Sequence, residues 1–533
     1  MTGLVEVFVG MLIAVVVLAL VARKLHIPYP IFFVIGGTLI SFVPGLPKAH
    51  LNPDLIFLFI LPPLLFPAAL FTSWRDFRAN RRPIGFLAVG LVLFTTTIVA
   101  WIAREVFHLP WAAGFVLGAI ISPPDAIAAT AIAERLKIPR RIVTILEGES
   151  LVNDATALVA YKFAIAAVVS GTFSLTTATG QFFIVSIGGI AVGLLVGWLA
   201  EQFHKRIDDA PIEITVSLLT PFVAYLIADR FQVSGVLAVV TAGLYLGWRT
   251  PIILSFQTRL RGAPFWEMIE FLLNGFVFLL IGLELPEVWQ NLADDHIPAS
   301  QLVWYSLLIT VAIIVIRILW VIPATYLPRL LFKSIRKKDP YPRWQYTAII
   351  GWTGMRGVVS LAAALALPDK RADGTPFPGR DLILFLTFVI ILATLVVQGL
   401  SLPPLIRWLG LQDDGIVERE EREARLKANQ AALARLREVT EPEAGACEAA
   451  LSRLIVEYED HIEQIETAEK EVENGGVPLR LFSNEYERLS HQALEVERRT
   501  IIQLRNDSVI SDEVLRRIQS DIDLAEARLR QHS

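Results

Sequence analysis

The stretch GAIISPPDAIAATAIAERLKIPRRIVTILEGESLVNDATALVAY, residues 118–161, decides how the rest of the chain is read. It consists of two apolar segments joined by a short basic loop. Each carries carboxylates in its interior: Asp125 in the first, Glu149 and Asp154 in the second. A charge at the centre of a bilayer costs about 2.5–3.5 kcal/mol on insertion scales, so acids at such depth mark a functional site by default. The spacing points to one site. Ser150, Asn153, Asp154, Ala157 and Tyr161 follow the three–four rhythm of a single helix face, and Glu149 and Asn153 form an i,i+4 pair beside it. In the first segment Pro123 and Pro124 precede Asp125. Pro124 has no N–H and its ring clashes with the carbonyl four residues back, which predicts a break and leaves carbonyls near Ala119 and Ile120 in need of partners. Broken backbone inside a membrane is tolerated only where it packs in protein or lines a watery cavity. Carbonyls, carboxylates and a hydroxyl together suit a hard monovalent cation, and the same carboxylates can hold a proton instead.

SPPD at 122–125, EGESLVND at 147–154 and GMRG at 354–357 follow one another along the chain. With these three signatures the chain resembles the sodium/proton exchanger family, in the NhaP-like branch of the monovalent cation:proton antiporters. The resemblance covers roughly residues 1–410. It implies that Asn153 and Asp154 form the ion- and proton-binding centre, and that Asp125 and Ser150 help hold the ion. It also implies that Glu149 pairs with a membrane arginine, for which Arg317 is the best placed, and that the transporter is a homodimer working by alternating access. One position departs from the family pattern. Members often carry an acid shortly after the LPP of the third span, where LPPLLFPAA places Pro67, a difference that bears on ion selectivity.

The composition agrees with an all-α polytopic membrane protein that carries a soluble part. Of 533 residues 54% are hydrophobic, and the mean hydropathy is +0.54. Residues 1–410 hold 31 Lys/Arg against 24 Asp/Glu, whereas 411–533 hold 17 against 28. The acidic tail argues against nucleic-acid binding. The lone Cys447 forms no internal disulfide, and no Cys/His cluster has metal-ligand spacing. No cofactor is called for beyond the transported Na+ or K+ and H+. The first apolar run lacks a basic leader and reads as a retained helix.

Thirteen spans of bilayer length are predicted, near 3–22, 27–45, 54–72, 84–103, 110–133, 142–167, 181–202, 213–229, 231–248, 266–284, 301–327, 346–367 and 382–408. Alternate loops are basic, with 21 Lys/Arg on one side against about six on the other. The positive-inside rule makes the rich side cytoplasmic, which puts the N-terminus outside and the C-terminal tail inside the cell membrane. With the seventh span as linker, two six-helix units of opposite orientation remain. The fifth member of the first carries SPPD, and the fifth member of the second carries GWTGMRG. Interruptions at matching positions of inverted repeats point to a transporter site built from discontinuous helices. Pro123, Pro124, Gly354 and Gly357 mark the two breaks.

Arg317 and Arg356 are the two deeply placed arginines. Each is a fixed charge, suited to neutralising Glu149 or the carbonyl ends of broken helices, against the alternative of snorkelling to an interface. Glu6 and Glu270 are read as interfacial. Lys162, next to Tyr161, is weighed for a role beside Asp154, and Thr95–Thr97 are expected to bond back to their own helix. Residues 411–533 read as a separate cytosolic helical domain, with a capping box at Thr440–Glu443 and a break at Asn474–Gly476. The function that follows is exchange of a monovalent cation, Na+ before K+ or Li+, for H+, with the two competing for Asp154 and Asp125. The alternative is a cation channel using the same carboxylates, although no repeated filter motif is present. An intramembrane enzyme is disfavoured, because HExxH is absent and GESLV lacks the GxSxG spacing.

Overall fold

The computed structural model describes residues 2–25, 29–42, 56–126, 129–130, 132–133, 136–170, 175–294, 297–371, 374–411 and 415–437, a helical stretch at 452–460, and isolated positions beyond it. The chain falls into two compact units, Met1–Asp414 and Gly415–Ser533. Among the described residues the first unit is helical throughout, apart from one isolated bridge between Lys370 and Pro376.

Its helices run in the order α1 (Thr2–Leu25), α2 (Tyr29–Ser41), α3 (Leu61–Phe71, entered through a π-helical turn Ile56–Ile60), α4 (Trp74–Ala79) and α5 (Arg81–Glu105, with a π-helical turn Phe86–Leu91). There follow α6 (Trp111–Ile121), α7 (Arg140–Ser170), α8 (Leu175–His204), α9 (Ala210–Arg230), α10 (Gly235–Ile253), α11 (Phe256–Asp294) and α12 (Ala299–Leu331). The unit closes with α13 (Lys333–Lys338), α14 (Trp344–Trp352), α15 (Val358–Leu365) and α16 (Arg380–Trp408). Eight described helices are long and apolar enough to cross a membrane, and Phe32–Ser41, Leu58–Phe71 and Trp111–Ile121 are shorter apolar helices. The predicted stretches fall on these elements wherever they are described. Two are split: 110–133 after Ile121, and 346–367 between Trp352 and Val358.

Local chemistry sets several boundaries. Ser73, Asp209 and Ser234 cap α4, α9 and α10 by accepting from the N–H groups of Asp76, Ile212 and Leu237. Prolines inside α9, α11, α12 and α16 are carried without ending them, which neighbouring helices permit in a membrane bundle. The buried apolar residues form a larger cluster and a smaller one, the latter built on α5, α7, α12, α14 and α16. Trp266 of α11 is fully buried against Phe66 of α3, with ring centroids 5.4 Å apart, and its indole N–H donates to Ser217 of α9 at 3.2 Å. The outside of α12 carries an exposed apolar stripe, Val303, Leu307, Val311, Val315 and Leu319, at i,i+4 spacing. A bilayer covers such a face, and the protein is a multi-pass membrane protein.

In the second unit α17 spans Ile416–Arg437. Arg437 donates to Glu459 in the 452–460 helix at 2.6 Å. The predicted capping box at Thr440–Glu443, the break at Asn474–Gly476, and most of the helical stretches expected near 484–506 and 511–531 lie outside the described residues.

Candidate functional site

The two split stretches meet. α6 ends at Ile121, residues 122–126 leave the helix, and the backbone N–H of Asp125 donates to the carbonyl of Met355 at 2.7 Å. Met355 lies in the non-helical stretch between α14 and α15. At and past the helix end the carbonyls of Ile121, Ser122 and Pro124 take side-chain donors, and Ala119 O, one of the two predicted to be freed by the prolines, accepts from the Ser122 hydroxyl at 3.3 Å. Arg356 serves the first two: its Nε donates to Ile121 O at 2.8 Å and Nη2 to Ser122 O at 3.4 Å, while Nη1 donates to Gly354 O. Its own backbone N–H donates to Thr394 of α16 at 3.1 Å. Helix C-termini carry partial negative charge, so a guanidinium that cannot deprotonate suits this position. Arg356 is buried, and snorkelling does not apply to it.

The polar face of α7 packs onto the same break. Asn153, wholly buried, donates its Nδ2 to Pro124 O at 2.8 Å, and Ser150 Oγ accepts from the N–H of Ala126 at 3.3 Å. The Asn153 Oδ1 is buried without a hydrogen-bond partner. Further along the helix, Tyr161 donates its hydroxyl to Ala366 O at 3.2 Å. The three–four spacing seen in the sequence is therefore the contact face between α7 and the two interrupted segments.

Glu149 lies on an adjacent face and meets Arg317 of α12. The pair is bidentate, at 2.5 and 2.9 Å, and both residues are 1% exposed. The Arg317 Nε donates to Ile350 O at 3.0 Å, near the end of α14. Two hydrogen bonds to a carboxylate and one to a carbonyl satisfy this guanidinium in a low-dielectric interior, where an unpaired charge would be expensive. Gly354 leaves the room: a Cβ there would sit 2.7 Å from Arg317 Cδ.

Gly357 stands against Asp125. A Cβ at Gly357 would lie 1.7 Å from Asp125 Oδ2, so the carboxylate occupies the space that any side chain would take. Gly357 is also the N-cap of α15, and the positive end of a helix dipole favours a carboxylate there. Gly357→Ala is expected to displace Asp125 by an ångström or so and to cut transport by about 100-fold, the usual consequence of a misplacement of that size. Proton flux in vesicles, normalised to inserted protein, measures this; an unaltered rate contradicts it.

Asp125, Ser150 and Asp154 open onto one cavity of about 260 Å³, and so do Glu147 and Glu270. No Lys or Arg lines it among the described residues. Pro67 lines the wall without a charged side chain. Glu147, Ser150, Leu151 and Asp154 are its contribution from α7, at the spacing of one helix face. Glu270, read from the sequence as interfacial, lines this wall. Lys162 turns away, half-exposed, to an ion pair with Asp229 at 3.9 Å. Of the threonines, Thr97 bonds back to Leu93 O at 2.8 Å, while the buried Thr96 hydroxyl has no partner.

Residues 11–408 match the sodium/hydrogen exchanger transmembrane family. An uncharacterized Na+/H+ exchanger of Mycobacterium tuberculosis is 35% identical over 525 residues, covering 98% of this chain and 96% of that one. A sodium, potassium, lithium and rubidium/H+ antiporter of Bacillus subtilis is 37% identical over 392 residues, 71% of this chain and 57% of that protein. Among solved structures, the sodium proton antiporter of Methanocaldococcus jannaschii at pH 8 superimposes with a TM-score of 0.57 at 18% identity, covering 76% of this chain and 99% of that one, which shows a common fold. Motifs, fold and a match spanning the helical unit agree that this chain belongs to the sodium/hydrogen exchanger family, a family of transporters and not of enzymes.

Proposed function

We propose that this antiporter exchanges Na+, with K+ and Li+ as alternative cargo, for H+, and that cation and proton compete for Asp154 and Asp125. The observation that carries the reading is the single cavity onto which both carboxylates and the Ser150 hydroxyl open, beside the cross-bonded breaks of two membrane segments. A dehydrating cation needs oxygens in place of its water, and this wall supplies them. As the cation arrives the carboxylate releases its proton to the same aqueous path. On the other side of the membrane the proton returns and the cation leaves. Asn153 beside Asp154 is neutral, so only one of the two adjacent side chains titrates, which favours one proton per cation. The fixed charges of Arg317 and Arg356 are absorbed by Glu149 and by helix-end carbonyls, and so compete little with the cargo.

In this reading the thirteen spans form two inverted six-helix units on either side of α8, with α6 and the α14–α15 pair as the matching discontinuous helices. Their mutual hydrogen bonds near the centre support that arrangement. Alternating access is then a rocking of the core bundle against a dimerising scaffold. The cavity runs along α7 from Asp154 toward Glu147, the end that follows the basic loop. The positive-inside rule makes that side cytoplasmic, with the N-terminus outside, the tail inside, and a homodimer in the cell membrane. Because the Bacillus subtilis relative is named for four cations, selectivity is tested over all four. In proteoliposomes clamped at zero potential, an imposed Na+ gradient is expected to move protons in the opposite direction. Current without coupled proton movement would instead support a pore.

Every group placed in the exchange site lies before residue 411. The tail is therefore proposed to fold as its own unit and to modulate transport without performing it. A chain cut after Gly415 is expected to insert and still exchange, with an altered pH profile. Loss of all exchange in a normally inserted truncation would make the tail part of the transport machinery.

A further inference from the structure

Among the polar groups on the cavity wall that have no part in the exchange described above are Glu270 of α11 and Ser360 of α15. Ser360 stands one turn beyond Gly357 and is 2% exposed, and its hydroxyl has no hydrogen-bond partner among the described residues. Serines and threonines in membrane helices ordinarily return their hydroxyl to the carbonyl one turn back. Ser306 does so to Leu302 O at 2.8 Å, and Thr394 to Ile390 O at 2.8 Å. Ser360 instead sits in the first turn of α15, directly after the non-helical 353–357 stretch. A buried hydroxyl left without a partner is destabilising, and that cost is recovered when an oxygen-seeking ligand enters the cavity.

Glu270 supplies the charge that such a ligand requires. It faces the same space as Asp125 and Asp154, and no basic side chain among the described lining residues neutralises it. A carboxylate removed from bulk water without a cation beside it is costly, and the mobile cargo is the natural counter-ion. α3 brings no charged side chain to this wall, its lining residues being Leu64, Leu65, Pro67, Ala68 and Phe71. The helices carrying Glu270 and Ser360 differ from α7, so the oxygens around the cavity come from separate elements. Such an arrangement surrounds an ion, whereas a single helix face touches it from one side.

We propose that the Glu270 carboxylate and the Ser360 hydroxyl are oxygen donors of the cation path, taking the dehydrating ion together with Asp125 and Asp154 and setting which cation is preferred. The proposal rests on the exchange reading above. The number and field strength of coordinating oxygens tune selectivity among monovalent ions. A carboxylate is the stronger-field donor, so its removal weakens the smaller and more strongly hydrated ion most.

The test uses the full chain reconstituted in proteoliposomes, with Na+, K+ and Li+ each titrated at fixed pH. Glu270→Gln is expected to raise the apparent KM for Na+ by about 10–100-fold with Vmax little changed, while Glu270→Asp recovers part of the loss. Ser360→Ala is expected to shift the Na+/K+ preference, and Ser360→Thr, which keeps the hydroxyl, to restore it. Thermal melts in detergent identify any variant that acts through folding. Wild-type KM and preference in both Glu270→Gln and Ser360→Ala overturn the proposal. So does a Glu270→Gln effect that disappears at high impermeant salt, because exposed long-range attraction is screened there while direct coordination is not. Failure of the parent reading is separable: it appears as a wild-type protein without exchange. Calorimetric Na+ binding to purified wild-type and Glu270→Gln protein still decides the donor assignment in that case, equal affinities overturning it.

Discussion

Asp154→Asn is expected to reduce cation-driven proton movement to the level of empty vesicles in a protein that inserts and melts normally. The substitution is isosteric and keeps a polar group against the cavity, so packing along α7 survives. It removes the negative charge that holds the cation and the proton that is exchanged, and no neighbour replaces either. Asn153 is neutral, its amide nitrogen committed to Pro124 O. Asp125 lies against Gly357, with its backbone bound to Met355. Asp125→Asn should cripple exchange as well, since one of the two carboxylates for which cation and proton compete is then lost. A dye response of wild-type size from well-folded Asp154→Asn would falsify the assignment of the carrier site.

The second large effect is on stability. Glu149 and Arg317 form a bidentate pair sealed from solvent. Removing one partner of a buried pair costs about 3–5 kcal/mol, because the other charge is stranded. Glu149→Gln and Arg317→Gln should each lower the melting temperature of the solubilised protein steeply, and the double variant should regain part of the loss. Recovery is incomplete for a stated reason: Arg317 also satisfies Ile350 O, which the double variant leaves without its donor. Strict additivity of the two losses would contradict direct coupling.

Much of the site is legible in the sequence because the costs of burying its groups are severe. Three acids inside two apolar segments demand an explanation, and the three–four spacing along α7 gathers Ser150, Asn153 and Asp154 on one face. The double proline announces the break, since an imino nitrogen cannot continue the helix. Spacing does not reveal what the carbonyls of the break will find. Arg356 is more than 230 positions from Ile121 and Ser122 in the sequence, and only the fold brings them together. Glu270 is hard to place from the sequence for a different reason. The apolar stretch begins near residue 266, whereas the helix starts at Phe256 and carries Pro264 without breaking, and only the packing of α11 shows that Glu270 lines the cavity. Lys162 is close to Asp154 only through its neighbour Tyr161. Consecutive residues on a helix point about 100° apart, and Lys162 faces Asp229 instead. Ser360 carries no sequence signal, because a serine that bonds back to its helix and one that does not look identical in one dimension.

The central claim is that cation and proton occupy the same carboxylates in turn, and the proton count on cation binding tests it most directly. Purified protein is titrated with Na+ in a calorimeter, in a series of buffers that differ in ionisation enthalpy, at pH values across the range where exchange is active. Competition predicts that each Na+ bound releases close to one H+ to the buffer, that apparent Na+ affinity falls as the pH is lowered, and that Asp154→Asn abolishes the release. Binding of Na+ with no proton released, at an affinity independent of pH, would contradict it.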